Sequence, residues 1–145
     1  MSHIIRPMTD ADRKAVLGMM QEFYSSPAVF TNGSLEIFQA DIDACLGENP
    51  YIQGFILEHN QEIAGYAMVA KSFSAEFGKP CIWIEDLYMK EAYRNMGLGS
   101  QFLSYVEKRY PEAVFRLEVE EDNLPAVHVY TKQGYQVLPY TEMKK

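Results

Sequence analysis

The sequence predicts an α/β (α+β) fold in which a mixed sheet carries helices on its faces. The hydrophobic patterns follow the order β-α-α-β-β-β-α-β-α-β, and such an order places helices against a sheet. The chain has 145 residues, of which 48% are hydrophobic. That length suits one domain with its own core and is too short for two ordinary ones. We therefore expect residues 1–145 to form a single domain.

The first third of the chain predicts a short strand over His3–Arg6 followed by two helices. Thr9 and Asp12 have the spacing of a capping box before the first helix. The second helix is expected to begin near Ser34. Helical spacing of apolar residues supports both helices. The first stripe is Val16, Leu17, Met20, Phe23 and Tyr24, and the second is Leu35, Phe38, Ile42 and Leu46.

The remaining elements begin with two strands, Tyr51–Glu58 and Glu62–Phe73. Only the residues HNQ separate them, which predicts an antiparallel hairpin. The elements predicted after this hairpin are a strand at Cys81–Met89, a helix at about Gly97–Tyr110, a strand at Ala113–Val119, a helix at about Leu124–Gln133 and a final strand-like tail, YQVLPYTEMK.

Composition narrows the classes of function. The formal charge is −7, from 20 acidic and 13 basic residues, which argues against nucleic-acid binding and favours a cationic small molecule. Many soluble proteins are acidic merely to stay dispersed. The sequence shows no membrane span or signal peptide, so we expect no membrane partner and a cytoplasmic location. Cys45 and Cys81 belong to no metal-ligand cluster, and we expect no metal.

The clearest chemical signal follows the strand Cys81–Met89. Arg94, Gly97 and Gly99 occupy the turn into the next helix, where glycines allow close approach of a ligand to the backbone. Free N–H groups and the positive end of the helix dipole attract an anion such as pyrophosphate. A dinucleotide fingerprint fits poorly because Phe102 holds its third glycine position. Two glycines alone would be equally consistent with a simple turn and cap.

Two blocks of the sequence resemble the GNAT superfamily of acyl-CoA-dependent N-acyltransferases. The run RNMGLG at Arg94–Gly99 fits the Arg/Gln-x-x-Gly-x-Gly/Ala pyrophosphate loop of that family. In EDNLPAVHVYTKQGY, the residues at the spacing of the second family block are Asn123, Ala126, Tyr130, Gly134 and Tyr135. Within the superfamily, WIEDLYM and YRNMGLGS are most similar to diamine (polyamine) acetyltransferases and their amine-acetylating relatives.

The resemblance implies a mostly antiparallel sheet with about four flanking helices and strands splayed at the acyl-CoA site. It also implies acetyl-CoA as co-substrate, a small-molecule amine as acceptor and a homodimer. The pantetheine arm would run beside Leu87 and Met89, and Tyr130 would be the general acid. The cofactor-binding residues expected are Leu87, Met89, Arg94, Asn95, Met96, Gly97, Leu98, Gly99, Ser100, Asn123 and Tyr130.

Glu85 and Asp86 are adjacent carboxylates inside an otherwise apolar strand, where an unpaired buried charge is costly. Their side chains point to opposite faces unless a bulge intervenes, so they have different roles. A primary alkyl amine has a pKa near about 10.4 and must lose a proton before it attacks. Glu85 is the candidate base, directly or through a water. Asp86 is assigned either to structure or to steadying a cationic substrate.

Some alternatives remain open. The domain could bind acyl-CoA without turnover, and the acceptor could be a protein N-terminus or another amine. Asp41, Asp43 and Glu48 on the second helix could attract a cationic substrate, although a solvated helix face explains them more simply. After Gly134 only YQVLPYTEMKK remains, with Pro139 in its middle, which leaves room for one strand or two very short ones.

Overall fold

The computed structural model describes residues 3–29 and 31–145. Its sheet has the strand order β1-β2-β3-β4-β5. The strands are β1 (His3–Pro7), β2 (Ile52–His59), β3 (Glu62–Ser74), β4 (Lys79–Met89) and β5 (Val114–Leu117), and the helices are α1 (Arg13–Tyr24), α2 (Leu35–Leu46), α3 (Leu98–Arg109) and α4 (Leu124–Lys132). Neighbouring strands from β1 to β4 are antiparallel, whereas β4 and β5 are parallel. The predicted mixed, mostly antiparallel sheet with four helices is confirmed.

The hairpin between β2 and β3 is also confirmed. His59 pairs with Glu62, so the turn consists of Asn60 and Gln61 alone. Both turn residues have positive φ angles, 51° and 70°. Two consecutive positive φ angles are typical of a type I′ turn, whose twist matches that of the flanking strands.

A side-chain cap defines where α2 begins, whereas the cap predicted for α1 precedes a 3₁₀ turn. The Thr9 backbone N–H donates to Oδ2 of Asp12 over 2.8 Å, but residues 10–12 form a 3₁₀ turn and α1 begins only at Arg13. The hydroxyl of Ser34 accepts from the Ile37 backbone N–H over 3.2 Å. Each cap satisfies an N–H group that the helix itself leaves unpaired.

The sheet divides the core into two layers. On one side, which we call the α1/α2 face, helices α1 and α2 cover sheet residues that include Ile56, Tyr66, Met68 and Tyr88. On the other side, the α3/α4 face, helix α3 packs on Phe55, Leu57, Ala67, Val69, Ile82 and Ile84. Val129 and Tyr130 of α4 pack against the same layer. The layer that a polar side chain of the sheet enters therefore determines which helices surround it.

The prediction of a final strand is wrong. Residues 136–145 form no strand within the described chain, and their side chains are exposed. Val137 is 98% exposed and Met143 is 89% exposed, so these two apolar side chains add almost nothing to the core. Pro139 also lacks an N–H group for a ladder hydrogen bond. In addition, β5 ends at Leu117 rather than at Val119. Within the described residues, no helix is both long and apolar enough to span a bilayer.

Candidate active site

A β-bulge separates the two carboxylates of β4. Met68 of β3 pairs with Asp86, but the next residue, Val69, pairs with Ile84. Glu85 is therefore the extra residue that has no counterpart on β3. A bulge of this kind shifts the alternation of side chains by one. Consequently Ile84 packs on the α3/α4 face, whereas Asp86 enters the α1/α2 face.

Asp86 is almost fully enclosed, with an exposure of 4%. Its Oδ1 accepts from the Tyr24 hydroxyl over 2.7 Å, and its Oδ2 accepts from the Tyr66 hydroxyl over 2.8 Å. Burial raises the pKa of Asp86, and the two tyrosine hydrogen bonds lower it in part. The pKa values of Tyr24 and Tyr66 are raised as well, first by the burial of each tyrosine and then by the Asp86 charge. Of the two roles predicted for Asp86, these contacts favour the structural one.

Glu85 is exposed, but its carboxylate lies among other acidic groups. The pKa of Glu85 is raised, first by partial desolvation and then by repulsion from Asp86, Asp41 and Glu142. Asp41 of α2 is half-buried, and its pKa rises to about 6 because of desolvation and the Asp86 charge. The solvated-face interpretation is thus wrong for Asp41. It holds for Asp43, which is exposed and pairs with Arg13 over 2.6 Å.

One edge of β4 is open next to the bulge. The pairing of β4 with β5 ends at Ile84 and Leu117, whereas β4 continues to Met89. Residues 85–89 therefore lack a strand partner on the β5 side within the described chain. Leu87 and Met89 pack against the α3/α4 layer. This opening corresponds to the splayed strands expected from the sequence, and its free backbone groups can hydrogen-bond an extended ligand.

The start of α3 lies beside this open edge. Gly97 is the N-cap with a φ of 79° and provides no side-chain oxygen to the first turn. A Cβ at Gly97 would meet no atom within 4 Å, and one at Gly99 would come no nearer than 3.9 Å, to Leu87. The first N–H groups of α3 are therefore approachable from solvent. Such a helix end, with its positive dipole, suits a pyrophosphate.

The other residues of the predicted loop surround this helix end. Asn95 has a positive φ of 63°, and Met96 is 43% exposed. The Leu98 side chain is buried in the core, which leaves only its backbone for a ligand. Arg94 donates from Nε to the Met89 carbonyl over 3.0 Å, and its guanidinium lies 5.5 Å from the Tyr88 ring centroid. An exposed cation is thus held near the end of β4. Ser100 follows in the first turn.

Helix α4 carries the second predicted block. Asn123 caps α4 by accepting from the Ala126 backbone N–H over 3.4 Å. Gly134 has a φ of 104°, and the Tyr135 N–H donates to the Tyr130 carbonyl, as in a Schellman ending of the helix. The Tyr130 side chain packs on the α3/α4 layer, and burial raises its pKa. Its hydroxyl forms no hydrogen bond with the described residues, so it is available to a ligand.

These positions give the open edge two distinct sides. Glu85 and its acidic neighbours lie toward the α1/α2 face, whereas Leu87, Met89 and Tyr130 lie toward the α3/α4 face. Sequence reasoning missed Tyr24 and Tyr66 as partners of Asp86, because their contacts depend on long-range packing. An acyl donor on one side and a nucleophile on the other would meet at the bulge. This arrangement has the parts required for acyl transfer.

Comparison with known proteins identifies the family. The chain belongs to the Acetyltransferase (GNAT) family, whose profile matches residues 17–135. Members of this family use acetyl-CoA as acyl donor, and the chain is accordingly an acetyl-CoA-dependent N-acetyltransferase. The approachable N–H groups at Gly97 and the open edge of β4 fit that donor.

Individual relatives agree with this assignment. The thialysine N-epsilon-acetyltransferase of Sus scrofa is 28% identical over 97% of this chain and 88% of its own length. The L-ornithine N5-acetyltransferase NATA1 of Arabidopsis thaliana is 32% identical over 52% of this chain, which spans about a third (34%) of that relative. A possible acetyltransferase from Clostridium difficile 630 shares the fold, with a TM-score of 0.84, 16% identity and coverage of 99% and 96% of the two chains.

Proposed function

We propose that this enzyme acetylates a small primary amine that carries a second positive group, with Glu85 as the base and Tyr130 as the acid. The observation that supports this most strongly is the bulge, which puts an exposed carboxylate at the open edge of β4. A diamine or polyamine-like acceptor fits the acidic groups there. The two curated relatives are named for the N-epsilon position of thialysine and the N5 position of ornithine, which is compatible with such an acceptor.

Glu85 would accept the ammonium proton, directly or through a water. A free alkyl amine has a pKa near about 10.4, so nearly all of it is protonated at neutral pH. Desolvation and the charges of Asp86 and Asp41 raise the pKa of Glu85. A carboxylate with a raised pKa is a stronger base than one with its ordinary pKa. Asp86 contributes through its charge, since tyrosine hydroxyls occupy both of its oxygens.

Tyr130 would protonate the sulfur that leaves when the acetyl group is transferred. Burial raises the pKa of Tyr130, so its hydroxyl remains protonated at neutral pH and can donate. Acetyl-CoA supplies the activated acyl group. Its pyrophosphate would bind to the backbone N–H groups of residues 94–100 and to the Arg94 guanidinium. Its pantetheine arm would bind along the β4 edge at Leu87 and Met89. Asn123 would add a polar contact near α4.

A thiol-release assay with a panel of amines tests this proposal. The panel contains putrescine, spermidine, lysine, a neutral monoamine, an aminoglycoside and a peptide with a free N-terminus. We expect the highest kcat/KM for small acceptors with two cationic groups, and a preference that weakens as added salt screens the acidic groups. Preference for neutral amines or for the peptide would reject the acceptor class. No thiol release with any amine, despite acetyl-CoA binding, would favour a non-catalytic acyl-CoA-binding domain.

A homodimer remains a prediction, and the C-terminal segment supports it. Val137, Leu138, Tyr140 and Met143 are large apolar side chains between 40% and 98% exposed. A second copy of the chain would remove them from water. Light scattering during size-exclusion chromatography should give twice the chain mass of 16.6 kDa, and removal of residues 136–145 should lower it toward the monomer. Cytoplasmic location also remains a prediction.

A further inference from the structure

Arg116 of β5 has a buried donor that nothing in the described chain satisfies. Its Nε is enclosed and makes no hydrogen bond to any described residue. The guanidinium lies 4.7 Å from the Trp83 ring centroid, a contact that holds the side chain in place without pairing its N–H groups. Buried polar atoms are nearly always hydrogen-bonded in native proteins. Arg116 is also without an ion-pair partner among the described residues, so its guanidinium is not committed to another side chain.

The register of β5 places Arg116 on the α1/α2 side of the sheet, where the acidic groups around Glu85 lie. Its neighbours Phe115 and Leu117 pack against the α3/α4 layer, so Arg116 points to the opposite face, which Glu85 and Asp86 share. Arg116 pairs with Trp83, two residues before Glu85. Two residues of strand span about 6.6 Å. That spacing is roughly the length of an extended amino-acid side chain with a terminal amine.

The surrounding charges explain why an anionic group would need this arginine. The pKa of Glu118, two residues further along β5, rises to about 7, first because it shares a hydrogen bond with Glu142. The charges of Asp86, Asp41 and Glu142 repel the carboxylate of Glu85. The charges of Glu142 and Glu85 repel the carboxylate of Glu118. A carboxylate on the acceptor would be rejected by these groups unless a cation received it. Within the described part of the chain, Arg116 supplies a cation on that face whose buried Nε has no partner.

We propose that Arg116 binds the carboxylate of the acceptor, so that the preferred acceptor is an amino acid with a side-chain amine rather than a plain polyamine. This inference rests on the proposed function. The planar guanidinium can donate two parallel hydrogen bonds to a carboxylate. The acidic groups then receive the α-ammonium, and the side-chain amine extends toward Glu85. Arg116 acts on binding and orientation and takes no part in proton transfer.

Matched acceptors that differ only by a carboxylate test the inference. Ornithine is putrescine with an added carboxylate, and lysine is cadaverine with the same addition. In Arg116→Gln, we expect kcat/KM for ornithine and lysine to fall about 10- to 100-fold, and kcat/KM for putrescine and cadaverine to stay within about twofold. Arg116→Lys keeps the charge but loses the planar fork, and we expect an intermediate loss.

Arg109→Gln is the control, because Arg109 also lies over aromatic rings, those of Phe55 and Tyr110, but belongs to α3. It should leave all four acceptors unchanged. Equal losses for amino acids and diamines in Arg116→Gln would overturn the inference and leave the acetyltransferase proposal intact. If wild type acetylates none of the four, the proposed acceptor class fails. Calorimetry of ornithine with the CoA-loaded enzyme then decides the inference: weaker binding in Arg116→Gln supports it, and equal binding overturns it.

Discussion

Glu85 and Asp86 are consecutive residues of β4, yet Glu85 is exposed whereas Asp86 is 4% exposed and accepts two tyrosine hydrogen bonds. The bulge at Glu85 causes this difference, because it frees one carboxylate from the ladder while the next enters the core. Desolvation first, and then the buried Asp86 charge, raise the pKa of Glu85. Asp86 thus contributes to the pKa of Glu85, and substitutions at the two positions should have different effects.

The first prediction concerns Glu85. In Glu85→Gln, kcat/KM for the best amine should fall about a hundredfold or more at neutral pH, because the base is lost. The deficit should shrink as the pH approaches about 10.4, where the amine is deprotonated without help. In wild type, the rate should fall as the pH drops through the raised pKa of Glu85, since only the carboxylate accepts a proton. Steady-state kinetics over a pH range that begins at the ordinary glutamate pKa of 4.5 measure both effects.

Glu48→Gln is the control for that series, because Glu48 is an exposed residue just beyond α2. It should reproduce the wild-type profile. A Glu85→Gln enzyme with an unchanged pH profile would assign Glu85 to structure alone.

Tyr130 should affect the rate and leave cofactor binding intact. In Tyr130→Phe, the leaving sulfur loses its proton donor, so kcat should fall about a hundredfold. Calorimetry should show nearly the same acetyl-CoA affinity, since the ring still packs on the α3/α4 layer. Tyr105→Phe is the matched control, because the Tyr105 hydroxyl only accepts from Arg109 over 3.3 Å. Equal kcat in the two variants would contradict the acid role.

The two glycines before and within α3 should behave differently. Gly97 has a φ of 79°, so Gly97→Ala should lower the free energy of unfolding by about 1 kcal/mol. Gly99 has ordinary helical geometry and open space beside Leu87. Gly99→Trp should therefore fold, and its ring should lower acetyl-CoA affinity at least about tenfold by covering the first turn. Denaturant unfolding and calorimetry measure the two effects.

Gly18→Trp provides the comparison for Gly99→Trp, because Gly18 is also a helical glycine with no atom within 4 Å of an added Cβ. Its acetyl-CoA affinity should equal that of wild type. Equal affinity in Gly99→Trp would show that the pyrophosphate binds elsewhere.

Local signals predicted most of the fold. The Ser34 cap, the Asn60–Gln61 turn and the glycines before α3 act over a few residues, so sequence spacing was enough to find them. The bulge at Glu85 was raised only as a possibility, because it depends on how β3 aligns with β4. The tail was predicted as a strand from its apolar residues, but a strand also needs a pairing partner, which the sequence pattern does not supply.

Asp41 shows the same limit within the site. Its position on the second helix, together with Asp43 and Glu48, suggested a solvated helix face. Whether a carboxylate at the border of a helix stripe meets water or another charge depends on the element packed against it. Here burial desolvates Asp41, and the Asp86 charge adds to this effect, so that the pKa of Asp41 rises to about 6.

The last prediction uses this raised pKa to give stability a pH dependence. The pKa of Asp41 rises from 3.8 to about 6 on folding, so the folded state binds the proton more tightly between these values. This contribution to stability is complete below about pH 4 and is lost as the pH rises through about 6. Asp41→Asn removes the penalty of the charged form. Its Tm should match wild type at pH 4 and exceed it at pH 7, as measured by thermal unfolding.

Asp43→Asn loses the ion pair with Arg13 instead, so its Tm at pH 7 should equal or fall below that of wild type. A Tm difference between Asp41→Asn and wild type that is the same at both pH values would mean that Asp41 is not desolvated beside Asp86.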